Sequence, residues 1–193
     1  GASWTLTAIP MFLLMGSVAH NSGISSALFK AARLWFGGLP GGLAVATIAG
    51  CGGFGAVCGS SLATASTFMR IAMPEMLARN YRPSLAAGCI AAGGTLGILI
   101  PPSTGLIIYA ILTEQSIGRL FMAGIIPGIL LTCLFLIAIS IVTRIKPELG
   151  PVGPVSSMPE RWASLRRSVT IVGIVLATIG GIYMGIFTPV EAA

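Results

Sequence analysis

The sequence predicts an all-α, polytopic membrane protein with broken helices and a re-entrant helical hairpin. Of its 193 residues, 55% are hydrophobic and only 8% are charged, whereas soluble domains carry about a quarter charged residues. The 26 glycines and 12 prolines lie largely inside the apolar stretches. At membrane depth, the polar groups freed by a helix break must find partners within the protein or in a wet cavity. The composition therefore excludes a soluble or disordered chain and indicates helices that break by design.

The first two elements differ in their pattern. We expect residues 1–19 to form a transmembrane helix that is truncated at its start, because they are mostly apolar but short for a full crossing. Residues 20–38 alternate apolar and polar side chains at helical spacing and carry Lys30 and Arg33 before a Trp-Phe pair. This pattern is typical of an amphipathic helix in the membrane interface.

A re-entrant hairpin is predicted over residues 39–69. The stretch 34–69 has 36 residues without a charge, and as one helix it would be about 54 Å long against a hydrocarbon core of about 30 Å. Two full crossings would need about 40 residues and a turn. We therefore expect two half-helices joined near Gly59-Ser60-Ser61, followed by a charged connector at 70–83.

The next uncharged stretch, 84–113, predicts a discontinuous transmembrane helix. Glycines at 93, 94 and 97 and then Pro101-Pro102-Ser103 interrupt it, and we expect the chain to unwind there. The remaining elements are a transmembrane helix at 121–143, a polar loop at 144–167 and a last transmembrane helix at 168–187.

The charge distribution favours the hairpin. If the hairpin returns to the side it entered from, ten of the 11 lysines and arginines lie on one face, which the positive-inside rule makes cytoplasmic. The connectors 70–83 and 144–167 are then cytoplasmic. If the hairpin crossed the membrane, the cations would divide eight against three. The net charge of +6 thus reflects topology, and we expect no nucleic acid as a partner.

The two breaks suggest a binding site for an ion and a substrate. Helix ends leave carbonyl groups free at one terminus and N–H groups at the other, and discontinuous-helix transporters use them to hold Na⁺ and an anionic substrate. In the hairpin, glycine permits the turn and a serine can cap the returning arm; in the second break, a threonine adds a hydroxyl. The alternative is that glycine and serine only allow close helix packing. The candidate Na⁺- and substrate-binding residues are Gly59, Ser60, Ser61, Thr64, Gly94, Thr95, Gly97, Pro102 and Ser103.

Other chemistries find little support. A serine protease needs a nucleophile with a nearby base, but the Ser60-Ser61 pair lacks a nucleophile elbow and the single histidine, His20, is expected near the membrane surface. The four cysteines lie in apolar segments without Cys-x-x-Cys spacing, which predicts buried small hydrophobes. We expect no enzyme, no metal beyond Na⁺ and no organic cofactor. A passive channel remains an alternative, because channels also use broken helices.

Several strings also resemble one family, the large membrane (DctM-like) subunit of TRAP (tripartite ATP-independent periplasmic) transporters, within the ion transporter superfamily. They are Gly-Ser-Ser-Leu-Ala-Thr at 59–64, Met-Pro-Glu-Met at 73–76, Gly-Thr-Leu-Gly-Ile-Leu-Ile-Pro-Pro-Ser at 94–103 and Ala-Gly-Ile-Ile-Pro-Gly at 123–128. The likeness runs in order over nearly the whole chain, and the string at 94–103 is highly specific.

The resemblance implies a multi-pass carrier of the bacterial inner membrane that uses a Na⁺ gradient to import small organic acids, such as C4-dicarboxylates, keto acids or sialic acid. It implies delivery by a periplasmic substrate-binding protein and a small four-helix (DctQ-like) membrane partner. It also implies an elevator motion against a scaffold that includes the arm at 20–38. The chain would then be most of the first of two inverted repeats, with 188–193 starting the second. Another carboxylate carrier of the same superfamily stays an alternative.

Overall fold

The computed structural model describes residues 8–153 and 156–164 and the single positions 169, 173, 177, 180, 181, 184 and 186. Within these residues the regular structure is helical and contains no β-strand, which confirms the all-α prediction for the described part of the chain. The predicted last transmembrane helix at 168–187 lies mostly outside the described residues, and the segment 188–193 lies wholly outside them.

Seven α-helices are formed between residues 8 and 145. They are α1 (Ala8–Asn21), α2 (Ile24–Phe36), α3 (Gly42–Cys58), α4 (Ser61–Ala78), α5 (Pro83–Leu99), α6 (Thr104–Leu112) and α7 (Ile117–Ile145), followed by a 3-10 turn at Pro147–Leu149 and a helical segment at 158–164. Among the described helices, α7 alone is long and apolar enough to cross a membrane by itself. The pair α5 and α6 meets the same criterion as one span bent by 44°.

Helices α3 and α4 form an antiparallel hairpin. Only two residues join them, and contacts continue away from the turn: the Phe54 and Phe68 rings lie 6.2 Å apart, and farther down Thr47 Oγ1 lies 3.6 Å from Met76 Sδ. The α3 arm is apolar all around, and most of its residues are buried. A helix with this pattern needs neighbours on every side, and α2, α4 and α5 supply them.

The structure corrects the expected connector at 70–83. Helix α4 continues through Pro74 to Ala78, and residues 79–82 alone form the turn before α5. The charges do not end the helix, because Glu75 pairs with Arg33 of α2 and lies 3.6 Å from Arg79 one turn later. Glu75 and Arg79 therefore pair across the last turn of α4.

The turn after α4 is tied to both neighbouring segments by Tyr81. The Tyr81 hydroxyl accepts a hydrogen bond from Leu43 N at 3.2 Å and donates one to Pro151 O at 2.9 Å. Burial raises the pKa of the Tyr81 phenol above its ordinary value, so the hydroxyl keeps the proton that it donates. Tyr81 therefore links the start of α3 to the segment that follows α7.

Backbone hydrogen bonds hold the same three segments together. Gly41 N donates to Gly150 O at 3.1 Å, and Arg82 N donates to Leu149 O at 3.1 Å. Consequently the start of α3, the turn between α4 and α5 and the end of α7 lie at one end of the molecule. We call this end the base, and the turn between α3 and α4 the tip of the hairpin.

The structure also corrects the expected unwinding at the glycines of the second break. Helix α5 runs without interruption to Leu99, and only residues 100–103 are non-helical. The glycines instead allow close packing: a Cβ added at Gly93 would lie 2.8 Å from Cys51 Sγ, and one added at Gly55 would lie 2.8 Å from Gly97 Cα. These glycines therefore allow close helix packing, and α5 runs parallel to α3 at the same depth.

Helices α1 and α7 cover the region where α3 and α5 end. On α7, Gly124 and Gly128 pack against the end of α5, since a Cβ at Gly124 would lie 3.0 Å from Leu99 O. On α1, a Cβ at Gly16 would lie 3.0 Å from Cys58 O. Small residues on both helices thus bring them against the backbone at the two breaks.

Candidate functional site

The hairpin tip is built from a left-handed glycine and a serine cap. Gly59 has φ 64° and donates its N–H to Gly55 O at 2.8 Å, which closes the last turn of α3. Ser60 is extended, and its Oγ accepts from Ala63 N at 3.4 Å. Thr64 donates its hydroxyl to Ser60 O at 2.8 Å. The polar groups of the tip are therefore fixed by local hydrogen bonds.

The second break repeats this arrangement. Ser103 has φ −131° and ψ 128°, close to the φ −131° and ψ 124° of Ser60. Its Oγ accepts from Leu106 N at 3.4 Å and donates to Ile98 O across the break. Because Ser103 is the cap, α6 starts at Thr104. The two prolines at 101 and 102 therefore lie before the cap and outside α6.

The two breaks touch each other directly. Gly59 O accepts a hydrogen bond from Thr104 N at 3.0 Å and a second one from Thr104 Oγ1 at 2.9 Å. A Cβ at Gly59 would lie 2.5 Å from Pro102 O and 3.4 Å from Ser103 Cα. Only glycine permits both the left-handed backbone and this approach.

Helix α5 packs closely against the start of α4, next to this contact. A Cβ at Gly97 would lie 2.7 Å from Thr64 Oγ1 and 2.8 Å from Ser60 O, and one at Gly94 would lie 3.3 Å from Ser61 O. With Gly59, Pro102 and Ser103, these residues form one contiguous cluster. The structure therefore brings together every predicted site residue except Thr95.

Thr95 lies beside the cluster on an exposed side of α5. Its Oγ1 donates to Ala92 O at 2.6 Å within the same helix. Ser61 is half-buried, whereas Thr64 and Ser103 have no exposed surface. The predicted residues thus divide into an interior group that holds the two breaks together and an outer edge, where Ser61 is half-buried and Thr95 is exposed.

The cluster joins four helix ends of opposite polarity. The C-termini of α3 and α5 present carbonyl groups, and the N-termini of α4 and α6 present N–H groups. No charged residue occurs in 34–69 or 84–113, so hydroxyl and peptide oxygens are the donors available here. Such oxygen donors suit a hard cation, and in discontinuous-helix transporters Na⁺ is held in this way.

Two features of the site were missed from the sequence. One is Thr104, which is the first residue of α6 and whose N–H needs a partner outside the helix. Gly124 and Gly128 have the Gly-x-x-x-Gly spacing that marks close helix approach in membranes. That spacing could have placed α7 against a break.

The cysteines take no part in a metal site within the described residues. Cys51, Cys58 and Cys89 are buried, as predicted, but Cys133 is exposed on α7. In the described part of the chain, histidine, cysteine, aspartate and glutamate form no group of three that could hold a metal ion. Cys133 differs because α7 buries few of its residues and leaves most of its apolar surface open.

Apolar helices whose breaks meet inside the molecule are typical of membrane transporters with discontinuous helices. The family model for the DctM component of tripartite ATP-independent periplasmic transporters matches residues 2–193. The chain belongs to this family of transporter permeases, as the resemblance implied.

Curated relatives agree with this assignment. The chain is 42% identical to the C4-dicarboxylate TRAP transporter large permease protein DctM of Pseudomonas aeruginosa, over 98% of the chain and 44% of the relative. It is 38% identical to the ectoine TRAP transporter large permease protein TeaC of Halomonas elongata, over 98% and 44%. It is 35% identical to the sialic acid TRAP transporter large permease protein SiaM of Vibrio cholerae, over 99% and 44%. The chain thus spans less than half the length of these relatives.

Proposed function

We propose that the chain is part of the membrane subunit of a Na⁺-coupled secondary transporter that imports small organic acids across the bacterial inner membrane. The observation that carries this proposal is the contact between the two breaks at Gly59 and Thr104, in a chain of the TRAP permease family. Four helix ends meet there without a charged side chain, and this arrangement supports a weakly held, releasable cation. Na⁺ is the coupling ion in this proposal.

In the proposed cycle, Na⁺ binds at the outer edge of the cluster, where Ser61 and Thr95 offer hydroxyl oxygens. The acid then binds nearby, and the hairpin and α5 carry both across the bilayer as one rigid body. The described contacts support such a body, because α5 packs against both arms of the hairpin. Na⁺ and the acid drive this elevator motion only if they bind the outward and inward states with different affinity.

The cargo is a small acid in this proposal. The names of the relatives include C4-dicarboxylate, ectoine and sialic acid. Since residues 34–69 and 84–113 contain no lysine or arginine, we assign recognition of the carboxylate to N–H groups at the starts of α4 and α6 and to the second inverted repeat of the full-length carrier. A periplasmic binding protein and a small four-helix membrane subunit complete the proposed assembly.

Uptake by the full-length carrier, reconstituted with both partners in proteoliposomes, tests the proposal. An inward Na⁺ gradient should drive saturable accumulation of a C4-dicarboxylate, ectoine or sialic acid above its external concentration. Dissipating the gradient with a Na⁺ ionophore should abolish the accumulation. Uptake that only equilibrates the solute and ignores Na⁺ would instead indicate a passive channel.

A further inference from the structure

Thr104 makes an unusual pair of contacts at the junction of the two breaks. Its N–H and its hydroxyl both donate to Gly59 O, at 3.0 and 2.9 Å. The two residues lie 45 positions apart in the chain. One side chain and one backbone group of α6 therefore hold a single carbonyl at the end of α3.

These contacts complete the hydrogen bonding of both partners. A carbonyl oxygen has two lone pairs, and Thr104 supplies a donor for each. The N–H of Thr104 is the first in α6 and has no acceptor within its own helix. Ser103, the cap, accepts from Leu106 N instead, so Gly59 O supplies an acceptor that the local cap does not.

We propose that Thr104 is a positioning residue for ion coupling, acting through a contact that we call the Gly59–Thr104 clamp. The clamp holds the hairpin tip against the second break, so that oxygens from both breaks bind one Na⁺ as a preformed set. It also withdraws Gly59 O from that set, because both of its lone pairs are in use. The ion ligands then come from the outer edge of the cluster. This inference rests on the proposed function.

Thr104 can be changed with little effect on the size of the side chain. Thr104→Val keeps the N–H bond to Gly59 O and removes the hydroxyl bond, whereas Thr104→Ser keeps both donors. Thr113 provides a matched control at the other end of α6, since its exposed hydroxyl donates only to Tyr109 O within the helix. Thr113→Val therefore removes a threonine hydroxyl at the C-terminal cap of the same helix without touching the clamp.

The test is Na⁺-dependent uptake by the full-length carrier in proteoliposomes, with the Na⁺ concentration varied at saturating substrate. Losing one hydrogen bond that preforms the site should raise the half-saturating Na⁺ concentration of Thr104→Val about tenfold. The maximal rate at saturating Na⁺ should stay close to that of the unchanged carrier. Thr104→Ser and Thr113→Val should keep the original Na⁺ dependence.

A second readout keeps the test decisive where Thr104→Val fails to transport. Leu62 lies at the tip and is 83% exposed, so a Leu62→Cys reporter can follow movement of the tip. Adding Thr104→Val should make thiol labelling of this reporter faster and less sensitive to Na⁺, and adding Thr113→Val should not.

The outcomes separate this inference from the proposed function. Uptake by the unchanged carrier that ignores Na⁺ would refute the proposed function, and the inference with it. Na⁺-driven uptake with the same Na⁺ dependence in Thr104→Val would refute the clamp alone. If Thr104→Ser raised the half-saturating Na⁺ concentration as much as Thr104→Val, the clamp would also be refuted, because serine keeps both donors.

Discussion

Gly59 shows how one residue sets the geometry of the site. Its φ of 64° lies in the left-handed region, and its α-carbon faces the carbonyl of Pro102. The glycine is predictable from the sequence, because a tight turn between two half-helices favours a residue without a side chain. The partner at Pro102 is not predictable in this way, because it belongs to a different helix pair.

Gly59→Ala should therefore destabilise the carrier by about 2–4 kcal/mol, from the left-handed backbone and the overpacking together. Gly53→Ala is the matched control on the same helix, since its Cβ would meet only the end of Leu28 at 3.6 Å. Thermal unfolding of the full-length carrier measures both. Equal midpoints for the two variants would contradict the close approach at Gly59.

At the scale of helices, the hairpin can be predicted from the length and charge of the sequence, whereas the continuity of α5 through its glycines cannot. An uncharged stretch too long for one crossing and too short for two must turn back, and the structure has the turn at Gly59-Ser60. Glycines in a membrane helix serve either unwinding or close packing, and the sequence of one helix does not distinguish them. Only the neighbours, Cys51 and Ala65 among them, show that packing applies here.

The extension of α4 illustrates a second limit. Charged residues after position 69 indicated a connector, yet Arg33 and Arg79 both lie against Glu75 and allow the helix to continue. Arg33 belongs to α2, so this stabilising contact depends on tertiary structure. A helix boundary that depends on contacts with another helix cannot be predicted from the residues of one segment alone.

The parallel packing of α3 against α5 predicts how glycine substitutions on α3 change the stability of the carrier. Gly55→Ala places a Cβ 2.8 Å from Gly97 Cα and should cost about 1–3 kcal/mol. Gly52→Ala, one turn earlier, meets only side-chain ends at 3.6 Å and should be neutral or stabilising by up to about 1 kcal/mol. Denaturation of both full-length variants in detergent provides the measurement. If Gly55→Ala were as stable as Gly52→Ala, the two helices would not pack through these glycines.

For the whole molecule, the base predicts the topology. Arg82 N bonds Leu149 O, so the turn after α4 and the segment after α7 must face the same side of the membrane. By the positive-inside rule, we expect that side to be cytoplasmic. Residue 115, between α6 and α7, should face the periplasm.

Cysteine labelling tests this arrangement in a full-length carrier whose native cysteines are replaced. Arg82→Cys and Lys146→Cys should react with an impermeant thiol reagent only from the cytoplasmic side, and Gln115→Cys only from the periplasmic side. All three positions are exposed. Periplasmic labelling at position 82 together with cytoplasmic labelling at 146 would place the two segments of the base on opposite sides of the membrane. That result would contradict the hairpin topology.

The central claim is that the two breaks, meeting at Gly59 and Thr104, hold one Na⁺ whose outer ligands include Ser61 and Thr95. Equilibrium binding of radioactive Na⁺ to the purified full-length carrier tests it most directly. The unchanged carrier should bind Na⁺ saturably, and Ser61→Ala combined with Thr95→Ala should weaken that binding at least about tenfold. Ser66→Ala, which removes an exposed hydroxyl that donates to Ala63 O farther along the same arm, should bind like the unchanged carrier. Identical Na⁺ affinity in the double variant and the unchanged carrier would contradict the claim.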